Sequence, residues 1–520
     1  MKSPHWLLFQ LNRPFRFSYI IRLSLFLFAF LIVFSLANPS ASAQGFADKV
    51  KEFTLDNGLR FFVYERPQVP TFAGMIMVKV GSVDERKGET GLAHFFEHMA
   101  FKGTSVMGAR DYEKEKPILE EMDRIGDDLA AEYLKGDRAD QAKMKDLKDK
   151  LKALQEEHRK YVVKDELDKI YSENGGEFLN ASTGNDSTQY FVMLPSNRLE
   201  LWFLIESERF KDLVFREFYS ERDVIAEERR MGIDNTPDGL LRDEFSNIAY
   251  VLHPYRHTVV GYMEDIQSYT KAKAVNFFKT FYIPNNMVAA VVGDVKLEEV
   301  KRLAEKYFGD IPRGANPPRP TEIEPEQRGE RQVTTWFEAE PRFMMGYHMP
   351  GPADKDNLTL SLASMILSRG NSSRLYRDLV TNKKIAVSVL ALASAARYPA
   401  LFMIMGQPRH PNTAQDLEKA VLEHLDRLKK EPVTQAEIDK SINQAEAALY
   451  RSIGFADNVF LAMRLLRNVI IFDDMDADWK RVEALKKITP EEIMAAANAC
   501  FTETNRTVGI LLRKEKGGEK

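Results

Sequence analysis

His94, Glu97 and His98 stand in the stretch His94-Phe95-Phe96-Glu97-His98. On a helix their offsets of three and four residues bring two imidazoles and one carboxylate onto one face. Two neutral imidazoles a turn apart suit a tetrahedral metal such as zinc, and a glutamate beside them can take a proton from an attacking water without being a ligand itself. The pattern is H-x-x-E-H. The plainer reading is an amphipathic helix with histidines in its core, but the flanking residues favour a helix that presents them. Thr90 is placed to cap its start, Gly91 to Phe101 contains no proline, Lys102 suits the negative end of the dipole, and Gly103 can stop it. Two strands are expected ahead of it, Phe61–Glu65 after the Asp56-Asn57-Gly58 turn and Phe72–Val80.

A zinc site needs a third protein ligand, and spacing alone gives only candidates for it. The best segment is Glu221-Arg222-Asp223-Val224-Ile225-Ala226-Glu227-Glu228-Arg229-Arg230, which also reads as an ordinary solvated helix face.

Several further motifs keep one order along the chain. Gly91 to Thr104 is followed by Leu179-Asn180-Ala181-Ser182-Thr183, the Glu221–Arg230 segment, His253-Pro254-Tyr255, Gly261, Tyr282-Ile283-Pro284-Asn285-Asn286-Met287 and Val291-Val292-Gly293-Asp294. In these the chain resembles the insulinase/pitrilysin family of inverzincin zinc metallopeptidases, in its short bacterial and mitochondrial-processing-peptidase-like branch. The resemblance covers nearly everything after residue 45. It implies an α+β fold of two homologous domains in a clamshell around a chamber. It also implies one zinc ion per chain, held by His94, His98 and Glu228, with Glu227 the neighbouring alternative. Glu97 becomes the catalytic general base, and Glu221 a helper that orients a ligand histidine. Substrate would lie extended along a sheet edge at Asn180 and Ala181.

The chain departs from the family pattern in two places. From His98 to Glu228 is 130 positions, more than short-branch relatives use. The excess reads as a helical-hairpin insert at about 111–170, turning around Lys135-Gly136-Asp137. Its apolar stripe runs through Ile118, Met122, Ile125, Leu129 and Tyr133, then Met144, Leu147, Leu151, Leu154, His158 and Tyr161. The insert is either a solvated decoration or an arm for docking or gating. The second departure follows Ser372-Ser373-Arg374-Leu375-Tyr376. The arginine and tyrosine that relatives carry seven residues apart fall here on Val380 and Val387. In the family these polar groups bind substrate and stabilise the oxyanion. Their absence leaves either a homologous partner subunit or a homodimer completing the site in trans, or a chain acting alone.

The remainder of the sequence sets the frame. Hydrophobic residues make up 44% of the chain and the net charge is −4, which gives no basic footprint for nucleic acid. A single cysteine, Cys500, excludes an intramolecular disulfide and a cysteine-based zinc site. Arg13, Arg16 and Arg22 precede an apolar run from Leu23 to Ala37 and the Ala41-Ser42-Ala43 cleavage pattern. Residues 1–43 therefore read as a signal peptide, with export to the periplasm if the source is bacterial. An uncleaved segment serving as membrane anchor is the alternative.

A weak repeat relates Thr270–Val292 to Thr489–Leu512, pairing Tyr282 with Phe501 and Asn286 with Asn505 at an offset of 219. The expected plan is a zinc-bearing domain over 45–312, a Pro- and charge-rich linker over 313–332, a homologous domain without a metal site over 333–514, and a tail over 515–520. The function expected is a zinc endopeptidase acting on unfolded peptides or extended segments. The alternative is a non-catalytic peptide-binding or assembly subunit.

Overall fold

Strands and helices alternate along the chain so that two sheets of the same topology are built in succession. The computed structural model describes residues 47–454 and 457–514. The expected signal peptide and the whole of the expected tail lie outside the described residues, which contain no helix long and apolar enough to cross a membrane.

The first half opens with β1 (Val50–Thr54), β2 (Arg60–Glu65) and β3 (Thr71–Val78), then the short helix α1 (Leu92–Met99). The insert follows as α2 (Tyr112–Tyr133), α3 (Gln141–His158) and a short α4 (Glu166–Glu173). Next come β4 (Glu177–Thr183), β5 (Thr188–Pro195), α5 (Leu199–Lys211), α6 (Phe218–Arg229), α7 (Pro237–Ala249), α8 (Met263–Gln267), α9 (Lys271–Phe281), β6 (Met287–Gly293) and α10 (Leu297–Phe308). The second half contains β7 (Arg331–Phe337), β8 (Arg342–His348), α11 (Lys355–Ser368), β9 (Ala386–Ala393), β10 (Leu401–Pro408) and α12 (Ala414–Lys430). It closes with α13 (Gln435–Gly454), α14 (Asn458–Phe472), α15 (Ala477–Leu485), α16 (Pro490–Cys500) and β11 (Arg506–Arg513).

The first sheet has the order β1-β2-β6-β3-β5-β4 and the second β7-β11-β8-β10-β9. Strand for strand, β2, β6, β3, β5 and β4 correspond to β7, β11, β8, β10 and β9. β6 is buried at all seven positions of Met-Val-Ala-Ala-Val-Val-Gly, as a strand covered on both faces requires. β4 is an outer strand of its sheet, and β9 holds the equivalent place in the other.

The repeat has a physical basis. Thr270 and Thr489 each cap a helix, and Asn286 and Asn505 each donate from Nδ2 to two carbonyls. These are Phe281 O (2.8 Å) and Lys79 O (3.3 Å) in the first half, Cys500 O (2.9 Å) and His348 O (2.9 Å) in the second. One amide, buried in the first half and partly buried in the second, thus closes the same helix-to-strand corner twice.

Each sheet buries one face against helices of its own half. The other face is covered by a helix from the opposite half: α14 lies on β6, β3 and β5, and α7 lies on β7, β11 and β8. On α7, Leu241 and Phe245 pack against Met344 and Leu511. Glycines make room for the ring, since a Cβ at Gly346 would stand 2.8 Å, and one at Gly509 3.0 Å, from Phe245. The two halves are therefore interlocked. Residues 313–330 between them carry no helix or strand, but the segment is pinned. Arg319 donates to Asn286 Oδ1 (2.5 Å) and Lys79 O (2.8 Å), and Glu324 accepts the N–H groups of Val251, Leu252 and His253 at 2.8, 2.9 and 3.0 Å.

The insert is a helical hairpin. Met122, Ile125 and Leu129 of α2 and Met144, Leu147 and Leu151 of α3 join the core of the first half, so its apolar stripe is turned inward. At its base lies a buried ionic knot. His158 Nε2 lies 2.7 Å from Glu115 Oε1, and Arg216 contacts the same carboxylate through Nε (2.6 Å) and Nη2 (2.9 Å). Arg216 also donates to the carbonyls of Lys102 (2.6 Å), Thr104 (3.0 Å) and Met107 (3.2 Å). His158 packs and pairs here, away from the metal-ligand cluster.

Candidate metal and peptidase site

The helix α1 is short and its two faces differ completely. Leu92, Phe95, Phe96 and Met99 have no exposed surface and belong to the core of the first half. Four such side chains contribute about 1.5–3 kcal/mol each, enough to fix the rotation of an eight-residue helix that could not persist alone. His94, Glu97 and His98 are left on the half-exposed face.

The helix ends differ from expectation. Gly91 occupies the N-cap with φ 90°, and α1 stops at Met99, with Ala100 as its C-cap. Thr90 does not cap: its hydroxyl donates to Asp265 (2.6 Å) and accepts from Tyr262 N (2.9 Å). Glu85 serves as the cap, accepting Gly91 N and Ala93 N at 2.7 Å each. A carboxylate six residues upstream of Gly91, beyond the usual capping position, satisfies the helix start in place of Thr90.

α6 packs against α1 and brings two acidic groups to it. Glu228 Oε2 lies 3.6 Å from Nε2 of His94 and 3.6 Å from Nε2 of His98. Ligand bonds of about 2.0–2.1 Å in tetrahedral geometry place donor atoms roughly 3.3–3.4 Å apart. One ligand atom from each of the three residues lies within 4.8 Å of the others, so this set fits zinc. Glu227 turns elsewhere and pairs with Arg230 at 2.8 Å. Glu221 Oε2 lies 3.3 Å from His98 Nδ1, and its other oxygen 2.5 Å from Lys102 Nζ. Among the described residues no hydrogen-bond partner meets the buried His94 Nδ1.

The charges are tuned by these surroundings. Burial, and then His98, push His94 down to about 4, so at neutral pH it is in the form that binds a metal. Burial works against the charge on His98, but Glu221, Glu228 and Glu97 outweigh it and raise the imidazole above its ordinary value. Burial lifts the Glu97 carboxyl, partly offset by hydrogen bonds from Thr183. For Glu221, burial is outweighed by His98 and Lys102, and the net shift is downward. A half-buried carboxyl raised above its ordinary value beside two imidazoles is suited to moving a proton.

The substrate residues expected from sequence lie on β4, the outer strand beside α1. Asn180 is exposed and Ala181 buried, and Asn180 Oδ1 accepts the Ala181 N–H at 2.8 Å. Thr183, at the end of the same strand, touches Glu97. Val380 packs partly into the core of the second half, and Val387 is 48% exposed on β9. Arg374 is engaged with both oxygens of Glu437 at 2.7 and 2.8 Å. It is held as a structural pair. Sequence reasoning missed Glu85 and the role of Thr183. For Glu85 a signal existed in the buried acidic pair Asp84-Glu85 just ahead of the glycine.

A duplicated α+β unit carrying one H-x-x-E-H helix defines a two-domain peptidase fold of the M16 type, and the chain belongs to the insulinase (peptidase M16) family. The model described as "Insulinase (Peptidase family M16)" matches residues 61–133, and that described as "Peptidase M16 inactive domain" matches 268–445. The chain is 29% identical over 482 residues to "Zinc protease PqqE" of Helicobacter pylori, covering 91% of this chain and 95% of that one. A crystal structure of a protease from Helicobacter pylori superposes with a TM-score of 0.74 at 27% identity, over 89% of this chain and 99% of that chain. The periplasmic protease PqqL from Escherichia coli shares the fold, with a TM-score of 0.67 at 18% identity over 89% of this chain and 48% of that chain.

Proposed function

We propose that the chain is a zinc-dependent endopeptidase that cuts unfolded peptides or extended segments. The observation carrying this reading is the convergence of His94, His98 and Glu228 with Glu97 close beside them, on two helices fixed by core packing. A zinc ion held by those three residues, one per chain, would supply Lewis acidity and a lowered pKa for water. Glu97 takes the proton from the attacking water and delivers it to the leaving amine. Glu221 orients His98 through Nδ1, and Lys102 holds Glu221 ionised. Substrate adds as a strand to the outer edge of β4, where its carbonyl takes over the Ala181 N–H that Asn180 occupies in its absence.

With valines at 380 and 387, the second half offers no polar helper at those positions. A homologous subunit carrying Arg and Tyr, or a second copy of this chain, would complete the site. The relation to PqqL supports pairing of two such units, since the matched portion is 48% of that chain and leaves length for another. Export to the periplasm through residues 1–43 accompanies this reading. A second reading, a non-catalytic peptide-binding or assembly subunit, is favoured by the two valines and by the match of residues 268–445 to an inactive-domain model.

Cleavage by the wild-type chain, with and without a sister subunit, decides between them, and Glu97→Gln tests the base. On a quenched peptide library, with and without a sister subunit, the variant should lose at least about a thousandfold in kcat/KM while metal analysis still finds zinc. Cleavage by the variant at the wild-type rate would overturn the assignment of Glu97.

A further inference from the structure

The turns β4–β5 and β9–β10 hold corresponding places in the two sheets, and they meet through one side chain. Arg397 comes from the β9–β10 connection of the second half, and its side chain is only 7% exposed. Its backbone N–H donates to Asp186 Oδ2 (3.0 Å) and its Nη1 to Asp186 O (3.3 Å). Asp186 lies in the turn that follows Thr183. From Nη2 the same guanidinium reaches both oxygens of Asp84, at 2.8 and 2.9 Å.

These two anchors belong to opposite walls of the candidate site. Behind Asp186 the chain is β4, where Asn180, Ala181 and Thr183 lie. Behind Asp84 comes Glu85, which caps α1 through Gly91 and Ala93. The walls also touch each other directly, through Ser82 N to Gly184 O (3.3 Å) and Val83 N to Asn185 O (3.0 Å). Gly81 permits that approach, since a Cβ there would stand 2.4 Å from the carbonyl oxygens of both Gly184 and Asn185. Tyr255 adds a hydroxyl to Asp186 Oδ1 at 2.6 Å. Arg397 therefore closes a ring of contacts running from the outer strand, through the turn, to the start of the metal-binding helix.

We infer that Arg397 is a positioning residue supplied by the metal-free half, setting the spacing between the strand edge that pairs with substrate and the helix that carries His94, Glu97 and His98. This rests on the peptidase reading for its kinetic consequence but not for its structural one. Charge-assisted bonds from the guanidinium to the Asp84 carboxylate, with its bond to the Asp186 carbonyl and the backbone bond to the Asp186 carboxylate, are strong enough to hold a turn in one place. An edge already ordered spares an incoming peptide the cost of ordering it.

Three variants test the inference. Arg397→Gln loses the Asp84 pair and weakens the turn contact. Asp186→Asn spares the Asp84 pair, weakening the bonds of the turn to the Arg397 N–H and the Tyr255 hydroxyl, and guards against a global folding defect in the first. Arg319→Gln serves as control, because it removes the other guanidinium bonded to Asp84 (3.2 Å) without touching the turn. Hydrogen exchange of backbone amides 180–187 should accelerate at least tenfold in Arg397→Gln and Asp186→Asn and stay within twofold of wild type in Arg319→Gln. Zinc content should be unchanged in all three. With a quenched peptide, KM should rise about tenfold in the first two variants while kcat stays within about threefold, and Arg397→Lys should recover part of the loss.

Equal exchange in all three variants, or a fall in kcat with KM unchanged, would overturn the inference. Should the wild-type chain fail to cleave any peptide, the proposed function falls, while the exchange measurement still decides the role of Arg397.

Discussion

Replacing Arg216 by methionine should cost the fold about 3–5 kcal/mol, the usual penalty when one partner of a buried ion pair is removed and the other is left behind. The side chains of Arg216 and Glu115 are 1% and 0% exposed, so water cannot take the place of the lost guanidinium. His158 stays within 2.7 Å of one Glu115 oxygen and limits the damage to the other. The carbonyls of Lys102 and Thr104 lose a donor as well, whereas Met107 O keeps the Thr104 N–H at 2.8 Å, and an unmet buried acceptor costs about 1–3 kcal/mol.

Urea unfolding followed by circular dichroism measures the sum. A double variant, Glu115→Leu with Arg216→Met, removes the stranded charge but not the stranded carbonyls, so it should recover only part of the loss and remain at least about 1 kcal/mol below wild type. The pH dependence gives an independent check. Burial pushes the Glu115 carboxyl up, but His158 and Arg216 outweigh it, and the folded value lies below the ordinary 4.5. Stability from this group is complete above about 4.5 and is lost as pH falls through the lowered value. Without Arg216 the carboxyl titrates higher, and acid unfolding should begin at higher pH. A loss under about 1 kcal/mol for Arg216→Met, or full recovery in the double variant, would refute the reasoning.

Two further predictions concern the site and the interlock. Glu221→Gln keeps the shape but weakens the hold on His98 Nδ1, so zinc affinity measured by chelator competition should fall about 10–100-fold. Gly346→Ala puts a methyl 2.8 Å from the Phe245 ring and should destabilise the whole chain by about 1–3 kcal/mol in urea, with no local effect on zinc content.

Much of the site was legible because its chemistry is local. His94, Glu97 and His98 are fixed by helical periodicity, and the core-facing Phe95 and Phe96 between them fix which way they point. Glu228 needed the family resemblance, since nothing in the spacing of a charged helix distinguishes it from Glu227. The structure separates them by direction: one faces the imidazoles, the other Arg230. The duplication was visible through Asn286 and Asn505 because a corner amide leaves a trace in sequence. Glu85 and Arg397 were not legible as parts of the site. The partners of Arg397 lie in distant segments, Glu85 reaches Gly91 and Ala93 across an irregular stretch, and neither a carboxylate before a glycine nor an arginine between strands carries a periodic signal. The same holds for the exchange of α7 and α14. Their amphipathic patterns announce burial but do not say against which sheet.

That exchange constrains how the molecule is made. As the chain leaves the ribosome, residues 50–308 can form their strands and own-side helices, yet β3 and β6 keep an apolar face bare until Asn458–Phe472 has been synthesised. The nascent first half must therefore wait, sticky on one side, for a cover encoded near the opposite terminus. The second sheet inherits its cover, α7, already translated. A gene cut at the linker would yield one fragment that lacks its lid and another that has lost it. Each fragment holds the cover of the other, so association of the two would restore both.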